Sequence, residues 1–254
     1  MNIKILPPDI NESRETFTVV DDHTIRFGLS SIKNVGSKLI EDIVAERDKN
    51  GPFISIANFL RRVKSKDFNK RSLEALIKAG AFDSLEDRGI LYYNLDYLLE
   101  FASKQRSFVY AGSRLFGVQK EEVILKRQGK IDIFEKLKWE KELLGIYLSD
   151  HPIKLIKNNN FMKIKDIKKY KEEIKVKIVG VINKIKRVIT KNNEILLYVE
   201  IEVHTDNIEV LVLPEIYNST PMIWEEGKII SVIGTYNPIK REDRVVAEKI
   251  SEIR

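Results

Sequence analysis

Residues 28–38 read GLSSIKNVGSK, and this stretch decides how the first half of the chain folds. It begins with a short apolar turn of helix. Asn34-Val35-Gly36 then makes a tight turn, and Ser37-Lys38 opens a second helix. Leu39, Ile40, Ile43 and Val44 follow at i, i+1, i+4 and i+5, on one helix face. A helix starting at such a turn points unpaired N–H groups, and the positive end of its dipole, outward. That tip holds a phosphate without reading a base. The candidate contacts are Lys33, Asn34, Val35, Gly36, Ser37 and Lys38. Gly36 permits close approach of the backbone, Ser37 can cap the helix, and Lys38 adds charge. An apolar-x-x-apolar-Gly spacing equally fits an ordinary helix–turn–helix corner, and both readings stand at this point.

On the N-terminal side, ILPPDINES (residues 5–13) is stiffened by proline and is not expected to be helical. TFTVV and TIRF, separated by Asp21-Asp22-His23, are expected to form a short hairpin. On the C-terminal side, Asn50-Gly51-Pro52 stops the helix. Three more helices are predicted, in ISIANFLRRV, in NKRSLEALIKAGAFDSL with Gly80 as its stop, and as one continuous helix through RGILYYNLDYLLEFASKQ. The Tyr and Leu stripe of the last is expected in the core.

The periodicity changes near Lys175. KVKIVGVINKIKRVIT, EILLYVEIEV, NIEVLVLP, KIISVIGTY and RVVAEKISEI are five strand-like runs, with a Lys191-Asn192-Asn193 turn between the first two. An irregular or helical insert follows the third. Five strands in so short a length fit an OB-type barrel, with a β-sandwich as the alternative. Between the two halves, residues 107–130 are weakly periodic. DIFEKLKWEKELLGIYLSDHPI then forms a helix ended at Gly145 and a turn through His151-Pro152.

With 254 residues, 43% hydrophobic and 32% charged, the chain has the composition of a folded globular protein. It has no cysteine and only three widely spaced histidines, which leaves thiolate and zinc chemistry without ligands. No apolar run reaches the ~20 residues of a membrane span, so a cytoplasmic protein without membrane contact is expected. The net charge of +6 is unevenly spread. Residues 153–193 carry thirteen Lys or Arg against three acids, and residues 194–254 carry six against twelve. Lysine-rich composition can also follow from an AT-rich coding sequence, so the basic stretch alone does not name a partner.

Taken in order, LPPDINES, IRFGLSSIKNVG, NGPF, LEALIKAGAFDSL, WEKELLGIYLSDHPI and VGVINKIKRVITKNNE resemble the C-terminal portion of the bacterial DNA polymerase III alpha subunit family. The resemblance covers nearly the whole chain, and LIKAGAFD and LLGIYLSDHP are its most specific parts. It implies an α+β, multidomain architecture, a helix-hairpin-helix domain followed by a five-stranded OB-type barrel. The implied boundaries are 1–27 for a base-of-fingers segment with a β-hairpin, and 28–106 for a tandem helix-hairpin-helix domain. Residues 107–174 would be a connector and 175–254 the OB domain. The family's palm, with its metal-binding acids, precedes the matched region. No cofactor is therefore expected here, Mg2+ belonging to that palm, and the chain is not expected to polymerise alone.

The resemblance also implies roles. Duplex DNA would be held by the first hairpin and by a second around IKAGAFD, where Lys78 and Gly80 lie nearest the phosphate path and Arg71 shares the groove. The commonest hairpin pattern has Gly where Asn34 stands, and Asn tolerates a left-handed backbone well. Single-stranded template would meet the barrel, where Tyr198 can stack a base, Lys186, Arg187 and Lys191 flank the first turn, and Lys240 and Arg241 sit between strands four and five. Glu200, Glu202 and Glu209 oppose phosphate on that face. GSRLF (residues 112–116) stands where the family carries its sliding-clamp peptide. Leu115 and Phe116 would fill an apolar pocket, although Gly112 replaces the usual Gln. Asp150-His151 reads as a structural joint. Two function classes remain, a non-catalytic holder of duplex and single-stranded DNA within a replicative polymerase, or a scaffold for the clamp and other replisome subunits. Independent catalysis has no supporting motif.

Overall fold

The computed structural model describes residues 3–110, 123–149, 161–203, 206–238 and 243–253, with side chains of 106–110 left aside. The chain divides into two compact units, residues 1–149 and 150–254.

In the first unit, β1 (Lys4–Leu6), β2 (Thr18–Asp21) and β3 (Thr24–Arg26) form a small sheet in the order β1-β3-β2. The TFTVV–TIRF hairpin is thus present, and the proline-led segment adds a parallel strand beside β3. Helices α1 (Ser37–Asn50), α2 (Ile56–Arg62) and α3 (Lys70–Lys78) follow. Phe59 sits at their centre, edge-on to Phe53 at 5.1 Å and to Phe82 at 4.9 Å. All three rings are essentially inaccessible to solvent, and burying each contributes roughly 1.5–3 kcal/mol.

The expected single helix from Arg88 is two, α4 (Arg88–Tyr93) and α5 (Leu95–Tyr110). The break falls at Asn94, whose buried side chain accepts from the Lys126 N–H and donates to the Lys126 and Ile90 carbonyls. Helix α6 (Ile133–Leu144) is capped by Asp132 and ends at Gly145 in the left-handed conformation, as its sequence indicates. Leu143 and Leu144 join the core of the first unit. The helix at the end of the predicted connector therefore packs as part of this unit.

In the second unit, β4 (Ile174–Ile189), β5 (Ile195–Val203), β6 (Asp206–Val212), β7 (Ile229–Tyr236) and β8 (Arg244–Glu252) close into a barrel in the order β4-β5-β6-β8-β7, with β4 pairing also to β7. This is an OB-type topology. The short α7 (Ile164–Ile167) adds Ile164 and Ile167 to the barrel core, and α8 (Pro214–Ser219) is the predicted insert after the third strand. The Tyr236 hydroxyl donates to Asp243 at 2.8 Å, and burial together with that carboxylate pushes the phenol up to about 12.

Candidate nucleic-acid interface

The first hairpin is built as a platform. Leu29 and Ile32 bury the short 3-10 turn, and the Lys33 N–H is held by the Leu143 carbonyl at 3.0 Å. Asn34 adopts φ +70°, the left-handed state that an Asn at this position accommodates. Gly36 is the N-cap of α1 in an extended conformation, and no side chain caps the helix. Ser37 therefore stands at the first helical position and is not a cap. Lys33, Asn34, Gly36, Ser37 and Lys38 are all exposed, with Val35 half-buried against the core. Among the described residues, nothing accepts the backbone N–H groups of Ser37 and Lys38.

Electrostatics at this tip are mixed. Lys38 Nζ lies 3.0 Å from Asp42 and 3.4 Å from Glu41, and its hydrogen bond to Asp42 holds its pKa above the ordinary value. Partial burial pushes the Asp42 carboxyl up, but the Ser65 hydroxyl and Lys38 together bring it below its usual value. Lys33 makes no ion pair among the described residues.

Helix α2 leads through the loop 63–69 into α3, and the IKAGAFD segment named from the sequence turns from α3 into α4. Phe68 is buried against Phe59, and Asn69 and Ser72 form a reciprocal capping box at the start of α3. The exposed cations of this loop and helix start are Lys64, Lys66, Lys70 and Arg71, of which Lys70 pairs with Asp96 at 2.7 Å. Arg71, named from the sequence, thus lies at the start of α3. The Gly36 turn and the 63–69 loop approach each other, since a methyl group placed on Gly36 would stand 3.2 Å from Asp67 Oδ2.

Gly80 and Lys78, named from the sequence, are held by the packing at the end of α3. Gly80, at φ +82°, ends α3 in a Schellman turn. The Gly80 N–H donates to the Ile77 carbonyl, and the Ala81 N–H donates to Leu76. It is buried beneath Arg88, whose Nη2 a Cβ there would meet at 2.1 Å. Lys78 Nζ is 2.6 Å from Glu74 and lies over the rings of Tyr92 (4.8 Å) and Trp139 (5.2 Å). Both residues build the fold. Gly80→Ala is expected to cost more than about 2 kcal/mol, from a left-handed backbone and the displaced guanidinium. The urea midpoint of the variant should fall.

On the barrel, Leu197, Val199 and Ile201 point inward, as their alternation indicates, leaving Tyr198, Glu200 and Glu202 on the outer face. Strand register sets Lys186, Tyr198 and Leu211 in one row and Lys184, Glu200, Glu209 and Arg244 in the next. Arg187 pairs opposite Leu197 and so falls on the other face from Lys186. Lys191 lies exposed in the β4–β5 turn. The Arg244 guanidinium stands 5.3 Å over the Tyr198 ring and 3.8 Å from Glu209, which tempers the acidic row. Glu200 accepts from Asn183 (2.9 Å) and Asn207 (3.0 Å). Lys240 and Arg241, the Asp150-His151 joint, and the GSRLF loop with Leu115 and Phe116 lie outside the described residues.

The first unit thus carries a helix–turn–helix corner at Gly36, and the second is a closed five-stranded barrel of OB-type topology. A family model of the helix-hairpin-helix motif matches residues 2–90. Along its length the chain is homologous to a portion of the DNA polymerase III alpha subunit. It is 35% identical to that of Aquifex aeolicus over 235 residues, covering 91% of this chain and 19% of the relative. It is 34% identical to that of Borreliella burgdorferi over 267 residues, covering 100% and 23%. The chain thus spans about a fifth of the length of the curated relatives it matches. Among solved structures, the yeast mitochondrial single-stranded DNA binding protein Rim1 is 18% identical with a TM-score of 0.27, covering 33% of this chain and 97% of that one.

Proposed function

We propose that this chain is a non-catalytic, DNA-holding region of a replicative polymerase, working in the cytoplasm. Its hairpins would grip the duplex backbone, and its barrel would receive single-stranded template. The observation that carries the reading is the exposed tip at Gly36–Lys38, where first-turn amides lack partners among the described residues, beside Lys33 and against the α2–α3 loop bearing Lys64 and Lys66. Homology to the alpha subunits, which are named as DNA polymerase subunits, supports it. The contacts are to phosphate, so binding is blind to sequence and steeply dependent on salt. For each phosphate engaged, log K falls by about 0.9 per tenfold rise in salt. Fluorescence anisotropy with two unrelated labelled duplexes across a salt series tests this. Equal affinities and a slope of several units are expected, and salt-independent or absent binding would overturn the reading.

A second reading, a scaffold for the sliding clamp or other replisome subunits, is favoured by the acids Glu200, Glu202 and Glu209 on the outer barrel face. It is also favoured by the exposed Val19 and Val20 on edge strand β2. Clamp capture that is lost on replacing Leu115 and Phe116 by alanine would support it.

A further inference from the structure

The β4–β5 hairpin runs further than the barrel requires. Pairing of β4 to β7 stops at Val181, and pairing of β5 to β6 starts at Leu197. The rungs Val188–Leu196 and Ile189–Ile195 therefore stand beyond both neighbouring strands. All four of their side chains are apolar, and of the four Ile195 is the one packed against the barrel core. Ile189 is 69% exposed. The turn that follows is fixed in place. The Thr190 N–H donates to the Glu194 carbonyl at 2.8 Å and the Asn193 N–H to the Thr190 carbonyl at 3.0 Å, with Asn193 at φ +63°. One exposed isoleucine is ordinary, but an apolar crest on a protruding, hydrogen-bonded turn is not explained by packing.

The charge around this crest is of one sign. Lys184, Lys186, Arg187 and Lys191 are exposed and make no ion pair among the described residues, and Glu194 is the single acid of residues 184–194. The acids of the barrel face lie further along the strand. Glu200 is five residues from Ile195, about 17 Å at strand spacing. Alternation puts Ile189 on the same face as Arg187, and Lys186 with Tyr198 on the other. A single strand drawn over the crest meets a cation on either face and an apolar side chain between them. Resting on the reading of the barrel as the receiver of single-stranded template, we infer that Ile189 is a base wedge. Its side chain packs on the plane of an unpaired base, while Lys186, Arg187 and Lys191 hold the phosphates on either side. A β-branched side chain on a fixed turn has little rotamer freedom to lose when the base arrives. The strand is thereby kept at the basic end of the hairpin and away from Glu200, Glu202 and Glu209.

The wedge needs bases and the cations need only phosphates, so an abasic strand separates them. The test measures anisotropy of a labelled thymidine oligonucleotide and of an abasic one of equal length, for the parent, Ile189→Ala, Ile189→Phe and Lys191→Ala. The parent should prefer the thymidine strand. I189A should bind it about fivefold more weakly, with abasic affinity and salt slope unchanged. I189F should bind thymidine at least as tightly as the parent, because a ring stacks on a base. K191A should weaken both strands alike. Melting of I189A should match the parent, since the side chain is exposed. An I189A variant that keeps the parental ratio of thymidine to abasic affinity overturns the wedge and leaves phosphate binding by the barrel standing. A parent that binds neither strand overturns the single-strand reading of the barrel, and the wedge with it.

Discussion

Glu140→Ala is expected to destabilise the N-terminal unit by about 3–5 kcal/mol, the cost of removing one partner from a buried ion pair. Glu140 is 1% exposed and Arg88 3%. The Arg88 Nη1 donates to Glu140 at 3.3 Å and to the Lys78 carbonyl at 3.2 Å, while Nη2 donates to Asp83 at 2.6 Å. Burial pushes the Arg88 pKa down, yet Asp83 and Glu140 leave it above its ordinary value, so the group stays charged. Glu140 also accepts from the N–H groups of Leu148 (2.8 Å) and Ser149 (2.9 Å) and from the Ser149 hydroxyl. Alanine would strand the guanidinium and release residues 148–149 together. Replacing both partners by apolar residues, as in Arg88→Met/Glu140→Leu, should recover much of the loss. The measurement is urea unfolding followed by tryptophan fluorescence. The two tryptophans fall one in each unit, Trp139 in α6 and Trp224 in the second, so a Trp224→Phe background reports the first unit alone. Since the buried Trp224 Nε1 has no hydrogen-bond partner among the described residues, that background gives up none of the hydrogen bonds seen there. A single variant with an unchanged midpoint would show that the network carries no stability.

Local signals explain what was legible in the chain. The five barrel strands follow from two-residue alternation, and the first hairpin follows from Asn34, Gly36 and the apolar spacing around them. Helix ends at Gly51, Gly80 and Gly145 follow from a residue that alone takes positive φ freely. What escaped depends on contacts distant in sequence. Asn94 breaks a helix that propensity favours because it pairs with the backbone 32 residues on. Lys78 on a helix flank looks solvated until Glu74, Tyr92 and Trp139 gather around its ammonium. Gly80 is legible as a helix stop, but the Arg88 guanidinium that packs over it comes from the next helix and is invisible to local sequence. Asp67 reads as one acid among lysines, and its place beside Gly36 is a property of two loops packed together.

Reversing charge at the first hairpin, Lys33→Glu/Lys38→Glu, should abolish most duplex binding. At about 0.1 M salt, a protein that no longer engages two of its phosphates binds roughly two orders of magnitude more weakly, and the added repulsion lowers affinity further. The slope of log K against log salt should shrink by about 1.8, since each engaged phosphate contributes about 0.9. The loss should be the same for unrelated sequences, because phosphates carry no base information. Both side chains are exposed. Lys33 has no ion-pair partner among the described residues, while Lys38 holds Asp42 and Glu41. Glutamate at position 38 would place three acids on one face of α1. Part of that repulsion is offset because a negative charge in the first helical turn is favourable. Stability should therefore change little, and melting of the variant beside the parent checks that the fold is intact. Binding to single-stranded DNA through the barrel should survive, which separates the two proposed contacts. A well-folded variant that retained parental duplex affinity and salt slope would mean that the free amides of α1 do not meet DNA.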